Sequence, residues 1–310
     1  MHQIGLIGFG KIATTRHVPA IMAHPGFQLA GVVDAGAIEA KIDGVRTFKS
    51  HMEMFAALPE LDCVAICTPP LVRARIALEA IALGKNVLLE KPPAAGVAEL
   101  AILRAARERS GVTMFTAWHS QHNPAVNRAR QLLDGATVTR IEMRWKEDVE
   151  RYHPGQEWIW HAGGFGVFDP GINALSILTR ILPGSVTVRG AALAMADRAA
   201  TPIAARLEFG LVGWEGACGT AEFDWRAEAG EIREISITTD HGDNLLLSAS
   251  GKALSFNGAI LMDGDRDEYG RLYAHFYALL ERRASDIDEE PSLLVADAFQ
   301  IGLRVPLAEF

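Results

Sequence analysis

The chain has 310 residues, 49% of them hydrophobic and 22% charged, which is enough apolar material for full cores in two units of roughly 150 residues each. Its formal charge of 30 − 38 = −8 disfavours sequence-independent binding to nucleic acid or to an anionic membrane. No apolar run approaches the ~20 residues of a spanning helix, and a first strand starting near residue 3 leaves no room for a signal peptide. Cys63, Cys67 and Cys218 have no metal-ligand spacing; no metal is expected, and they read as free thiols of a cytoplasmic protein.

Ile4-Gly5-Leu6-Ile7 reads as a buried strand, followed at once by Gly8-Phe9-Gly10-Lys11-Ile12-Ala13. That is G-x-G-x-x-A at the join of a strand and a helix. Glycines there let the backbone turn and approach a pyrophosphate, and the small Ala lets the helix pack on the strand. The helix start offers free N–H groups to the phosphates. The helix over 12–23 stops at His24-Pro25-Gly26. A second apolar strand over 28–33 ends in Asp34, about where an acid accepts from the ribose 2′-OH. Only a short stretch precedes Val45-Arg46-Thr47-Phe48, so the usual second helix is short or absent. Ser50 and Glu53 have capping-box spacing for a short helix to Leu58. A buried strand over 62–67 ends in Thr68-Pro69-Pro70, and the helix over 71–83 is closed by Gly84. A strand over 86–90, a helix over 97–109 and a strand over 112–117 complete repeated βα units, which imply a doubly wound parallel sheet.

The rest of the chain has a different texture. A helix over 124–133 leads to a strand over 138–148, an aromatic-rich loop and a helix over 170–181. Alternating stretches over 186–256, with turn signals at Asp197, Gly210-Leu211-Val212-Gly213, Ala229-Gly230 and His241-Gly242, read as an open, mostly antiparallel sheet. Helices over 267–283 and 293–305 close it. The expected division is 1–119, a dinucleotide-binding α/β domain, and 120–310, an α+β domain for substrate binding and oligomerisation.

Glu90-Lys91-Pro92-Pro93 lies at the carboxyl end of a strand, the edge where open α/β sheets bind ligands, and Thr68-Pro69-Pro70 caps the neighbouring strand at the same edge. In the second domain Asp169 and Pro170 have the residue types of an N-cap and a first helical residue. Asn173 follows four residues after Asp169, so both side chains leave the same face of one turn. An acid and an amide so spaced can handle a proton.

These motifs, in this order, resemble the glucose-fructose oxidoreductase / inositol dehydrogenase / MocA family of NAD(P)-dependent sugar oxidoreductases. The carriers are Gly8-Phe9-Gly10-Lys11-Ile12-Ala13, Thr68-Pro69-Pro70, Glu90-Lys91-Pro92 and the Gly-Gly…Asp-x-Gly segment at 163–171. Longer stretches are similar to the family's bacterial aldose 1-dehydrogenases, which act on L-arabinose or D-galactose: Thr116-Ala117-Trp118-His119-Ser120, Arg144-Trp145-Lys146-Glu147-Asp148-Val149, His153-Pro154-Gly155-Gln156-Glu157-Trp158-Ile159-Trp160 and Phe168-Asp169-Pro170-Gly171-Ile172-Asn173-Ala174-Leu175-Ser176. Many family members carry His where this chain has Asn173, which cannot titrate; Asn is typical of the aldose subgroup.

The resemblance implies oxidation of the C1 hydroxyl of D-galactose, L-arabinose or D-fucose to an aldonolactone. Its alternatives are a dehydrogenase of another polyol such as an inositol, or a non-catalytic NAD(P)- or sugar-sensing regulator. Lys91, Asp169 and Asn173 are then the catalytic set: Lys91 contacts the reacting oxygen, Asp169 takes or relays the proton, Asn173 orients the hydroxyl, and the choice of base between Lys91 and Asp169 stays open. Gly8, Phe9, Gly10, Lys11, Ile12, Asp34, Thr68, Pro69, Pro70, Glu90 and Lys91 bind the cofactor, and His119, Glu147, His153, Asp169 and Asn173 bind the sugar. Trp158 or Trp160 is a candidate for stacking on it, Tyr152 for sensing the C5 substituent, and His275 is assigned to helix packing. A carboxylate at Asp34 favours NAD⁺, while Lys41 and Arg46 leave room for NADP⁺. The family also implies a homodimer through the second-domain sheet.

Overall fold

The computed structural model describes residues 1–36, 42–214, 216–227, 230–264 and 267–310, the Glu309 side chain apart. Lys41 and Ala229 lie outside the described residues. The chain divides into two compact units, Met1–His119 with Asp267–Asp288, and Ser120–Arg266 with Glu289–Phe310. The first unit is therefore made from two stretches of chain.

The first stretch runs β1 (His2–Ile7), α1 (Val18–Ala23), β2 (Phe27–Val33), β3 (Arg46–Phe48), α2 (His51–Ala57), β4 (Cys63–Ile66), α3 (Pro70–Ala82), β5 (Asn86–Glu90), α4 (Val97–Ser110) and β6 (Met114–Ala117). A wider-wound helical turn, Ala13–His17, leads into α1. The capping box at α2 is formed: Glu53 N–H donates to Ser50 Oγ at 3.1 Å. The strands pair in parallel in the order β3-β2-β1-β4-β5-β6. Every residue of β4 is buried, as a strand covered on both faces requires.

The second unit begins with α5 (Pro124–Leu133), β7 (Val138–Lys146), α6 (Val149–Tyr152), α7 (Phe168–Ile181), β8 (Val186–Met195), β9 (Pro202–Leu211), β10 (Cys218–Asp224), β11 (Ile232–Thr239), β12 (Asn244–Ser248), β13 (Ala253–Phe256) and β14 (Ala259–Met262). Next, α8 (Glu268–Arg282) belongs to the first unit, where it packs on α1. Its Tyr273 and Phe276 join Leu6, Phe27 and Val32 in one buried layer, while Met54, Phe55, Leu100 and Leu103 join Ile7 and Ile66 in the layer on the other face.

The chain returns to the second unit with α9 (Glu290–Ile301) and β15 (Leu303–Pro306). Here the structure corrects the expectation of a helix over 293–305. Gly302 turns to extended backbone, and Leu303 onward pairs in parallel with β8. The sheet has nine strands in the order β14-β13-β12-β11-β7-β10-β9-β8-β15, antiparallel except at β10–β7 and β15–β8. Along β7 the buried residues are Val138, Ile141, Met143 and Trp145, with Arg140, Glu142 and Arg144 exposed between them, the alternation of a sheet with one face covered. Helix α7 lies against β7 and β11, with α5 and α9 on either side of it.

Candidate functional site

In the first unit the loop after β1 is shaped by close approach. Gly8 has φ +93°, and a Cβ there would stand 2.8 Å from the Thr68 nitrogen and 2.9 Å from the Cys67 carbonyl carbon. Only glycine lets the β1 and β4 ends meet this way. Around Gly10 a Cβ would meet nothing within 4 Å, and Gly10, Lys11 and Ile12 are exposed. Thr68 Oγ1 is buried without a hydrogen-bond partner. An open glycine turn beside an unpartnered hydroxyl fits a dinucleotide's phosphates. Asp34 follows β2, and its Oδ1 accepts from Gly36 N–H at 2.9 Å. Arg46 is turned elsewhere, with Nη1 donating to Ala57 O at 3.3 Å and its guanidinium 5.0 Å from the Phe48 ring centre.

Lys91 is half-buried at the end of β5, with a cis bond to Pro92. The buried Arg73 clamps this edge, donating to the carbonyls of Thr68, Glu90 and Pro92. Beneath lies a polar cluster that the sequence did not disclose. Glu90 is 3% exposed and His17 0%. His17 Nε2 is 3.3 Å from Glu90 Oε1, its Nδ1 is 2.8 Å from Tyr273 Oη, and Tyr269 Oη donates to Glu90 Oε1 at 2.6 Å. Burial opposes charge on His17, but Cys67 and Glu90 outweigh it and raise the imidazole from 6.5 to about 10. Burial likewise opposes charge on Glu90, yet the hydrogen bond and charge of His17, with His119 and Lys91, lower it from 4.5 to about 2. His119 stacks on Tyr269 with ring centres 5.3 Å apart, and its Nδ1 is 3.5 Å from Glu268 Oε2.

In the second unit α7 starts one residue before Asp169, with Val167 as its N-cap. Asp169 and Pro170 are therefore second and third in the helix, not cap and first residue, and the capping role is corrected. The Phe168 amide bonds Phe165 O and the Asp169 amide bonds Gly166 O, so the preceding turn runs into the helix without a side-chain cap. Asp169 Oδ2 instead meets His153 Nε2 at 3.2 Å. His153 Nδ1 lies 3.3 Å from Gln156 Oε1, which also accepts from Trp158 Nε1 at 3.1 Å. The Trp225 ring lies 5.3 Å from His153 and 5.4 Å from Trp160. Asn173 Oδ1 and Trp225 Nε1 are both buried with no hydrogen-bond partner. A buried acceptor and a buried donor left unpaired are costly alone and suit a ligand rich in hydroxyl groups.

Glu147, just past β7, is buried; Trp145 Nε1 donates to its Oε1 at 2.7 Å, and Arg233 Nε stands 2.8 Å from the same oxygen. Tyr152 stacks under Arg233 at 5.0 Å and donates to Glu231 at 2.6 Å. The structure thus pairs Asp169 with His153, sets the unforeseen Trp225 beside His153 and Asn173 one helical turn on from Asp169, and gives Glu147 the unforeseen partner Arg233. His275 bonds Asp286 at 2.8 Å and packs on Phe115. Among the described residues, no group of three or more His, Cys, Asp or Glu could hold a metal ion, and no helix is long and apolar enough to cross a membrane.

Residues 2–117 match the model of an oxidoreductase family with an NAD-binding Rossmann fold, Gfo/Idh/MocA. Across 99% of this chain and 98% of its own length, a galactose 1-dehydrogenase of Pseudomonas fluorescens is 39% identical. The chain belongs to the Gfo/Idh/MocA oxidoreductase family. A solved D-galactose-1-dehydrogenase from Rhizobium etli superposes on this family member with a TM-score of 0.91 at 39% identity, covering 98% of this chain and 96% of that one. A 3-ketoreductase from Actinomadura kijaniata, solved with NADP and TDP-benzene, shares the fold alone: TM-score 0.81 at 15% identity, over 98% and 99% of the two chains. The cofactor of this NAD-binding family member is a nicotinamide dinucleotide.

Proposed function

We propose that this oxidoreductase is an aldose 1-dehydrogenase, oxidising C1 of D-galactose and its configurational relatives L-arabinose and D-fucose to the aldonolactone, with NAD⁺ preferred. The observation that carries the reading is the 39% identity to a galactose 1-dehydrogenase along 99% of the chain. The second unit supports it with paired Asp169 and His153 and the unpartnered Asn173 and Trp225 atoms. Free thiols and the lack of a spanning helix among the described residues agree with a cytoplasmic enzyme.

The dinucleotide, held by residues 8–12, Asp34, Thr68, Pro69, Pro70 and the Glu90-Lys91 edge, supplies a hydride acceptor. The chain does the rest. Lys91 contacts the C1 hydroxyl as that O–H and the C1–H bond break and C=O forms. Asp169, with His153 behind it, receives or relays the hydroxyl proton. Asn173 Oδ1 accepts from a sugar hydroxyl and fixes its direction. His119 and Glu147 bind further hydroxyls. Galactose and arabinose in pyranose form share ring stereochemistry, so a pocket reading those hydroxyls takes both, with about 1–3 kcal/mol riding on the C5 substituent.

The test is initial rates of NADH and NADPH formation with D-galactose, L-arabinose, D-fucose, D-glucose and myo-inositol. Wild type is assayed beside Lys91→Ala and Asp169→Asn. Turnover of the galactose-configured sugars, with a loss of about 10²-fold or more in each variant, is expected. Preferred oxidation of myo-inositol to a ketone would replace this reading with a polyol dehydrogenase.

A further inference from the structure

The scheme above uses the Glu90-Lys91 edge for the dinucleotide but gives no role to the buried pairing of the Glu90 side chain with His17. Burying an ion pair is a poor route to stability, since apolar residues of the same volume commonly serve as well or better. Yet this chain encloses one between the Ala13–His17 turn and β5, 0% and 3% exposed, beside a largely apolar layer that includes Ile4, Leu6, Ile21, Phe27 and Phe276. Both partners are secured a second time. Tyr273 Oη sits at 2.8 Å from the far ring nitrogen of His17, and Tyr269 Oη donates at 2.6 Å to the same Glu90 oxygen that faces His17. Glu90 immediately precedes Lys91, and Arg73 pins its carbonyl together with that of Pro92. The backbone that carries Lys91 is thus fixed from both sides of β5.

We propose that His17 and Glu90 are positioning residues for Lys91, a charge-balanced buried pair that sets the proton affinity of the lysine the reaction uses. The inference rests on the reading of Lys91 given above. The electrically active groups around the pair are Cys63 and Cys67 from β4 and the turn after it, Lys91 itself, His119 beyond β6, and Glu268, Tyr269 and Tyr273 from α8. Glu90 directly precedes Lys91 in the chain and feels its charge, so the carboxylate is the member joined directly to the lysine. Removing each member therefore has its own sign. In His17→Gln the carboxylate, still held by Tyr269, loses its counter-charge and favours the lysine ammonium. In Glu90→Gln the negative charge beside Lys91 disappears while the imidazole keeps Cys67 and Tyr273 around it, which favours the neutral lysine.

The experiment is a pH titration of the Lys91 side-chain carbon signal in isotope-labelled protein, assigned by its loss in Lys91→Arg. It is run beside kcat/KM against pH for galactose oxidation. His17→Gln should raise the Lys91 midpoint by on the order of one pH unit, the effect of one unit charge at about 10 Å in an effective dielectric of about 20. Glu90→Gln should lower it, and the double variant, which removes one charge of each sign, should fall between the two single variants. The acid limb of kcat/KM should move with each midpoint. Variants that lose kcat while Lys91 titrates with wild type would make the pair mere packing and overturn the proposal. Should the variants not fold, the ring nitrogen signals of wild type and Tyr273→Phe decide: a His17 that is neutral at pH 8 in wild type sinks the idea. Absence of sugar turnover by wild type would remove the function reading, while the Lys91 titration would still read the coupling.

Discussion

On the reading proposed above, the choice of cofactor turns on one carboxylate, Asp34. It follows β2, where a ribose 2′-OH can donate to it and a 2′-phosphate would be repelled. Arg46, the described cation nearest in sequence, is committed to Ala57 O and the Phe48 ring. Asp34→Ala should therefore lower kcat/KM for NAD⁺ and raise the NADP⁺/NAD⁺ ratio by about tenfold or more, as the loss of one charge-assisted hydrogen bond and one repulsion implies. A ratio already above one in wild type would count against this role of Asp34. His17 and Glu90 give a second prediction, in stability. Raised from 6.5 to about 10, His17 contributes stability that is complete below 6.5 and is lost as pH rises through 10. Lowered from 4.5 to about 2, Glu90 contributes stability present above 4.5 and lost as pH falls toward 2. Urea unfolding of wild type should thus weaken between neutral and alkaline pH more steeply than that of His17→Gln, by up to about 1.4 kcal/mol per pH unit, the slope of one proton. Equal slopes would mean that His17 is neutral in the fold. Residues of this kind show where sequence stops being readable. Gly8, Lys91 and Asp169 sit in short motifs whose neighbours in sequence are also their neighbours in space. His17 takes its meaning from Glu90, 73 positions away, and Tyr273, 256 positions away, and nothing local marks it.

On the proposed reading, helix α7 and its register on the sheet carry the sugar side of the site. Gly171 lies between Asp169 and Asn173, and a Cβ on it would stand 2.8 Å from the Phe223 ring of β10. Glycine here is the condition for α7 to lie close on the sheet. Gly171→Ala should push the helix off Phe223 and cost about 1–3 kcal/mol of stability. Because Asp169 and Asn173 move with it, kcat/KM for the sugar should fall at least ~10-fold while NADH affinity is kept, as a displacement of about 1 Å at reacting groups can cost. Unchanged melting and unchanged rates would show that the interface yields freely. The alternating and 3.6-residue periodicities made α5, α7 and β7 readable to within a few residues, and marked 186–256 as a mostly antiparallel sheet without dividing it into its strands. They failed at β15, where Leu303-Arg304-Val305-Pro306 carries no alternation of burial and is a strand only because β8 offers it an edge. They also could not say that α8 goes with the first unit, since its apolar stripe of Tyr269, Leu272, Tyr273 and Phe276 would suit any buried layer.

For the molecule as a whole, the open face of the nine-stranded sheet is the surface on which we propose that two copies meet. Across it run Arg140–Glu142 at 2.6 Å, Arg144–Glu234 at 2.6 Å and Lys146–Glu222 at 2.9 Å. Exposed pairs of this kind add only about 0–1 kcal/mol each to a fold, so the stability of the sheet does not account for such a face. A two-fold axis sets one patch against itself, and a patch that interleaves both signs is complementary to its own copy. An interface so polar should dissociate more readily than an apolar one. Sedimentation at low ionic strength should give a dimer, shifting toward monomer near about 0.5 M salt, where screening is effective within roughly 4–5 Å. Arg140→Glu with Arg144→Glu should give monomer, as should Glu142→Arg with Glu234→Arg, and mixing the two variants should restore a dimer. A monomer under every condition would remove the interface, and a dimer indifferent to salt and to both reversals would move it to another face of the molecule.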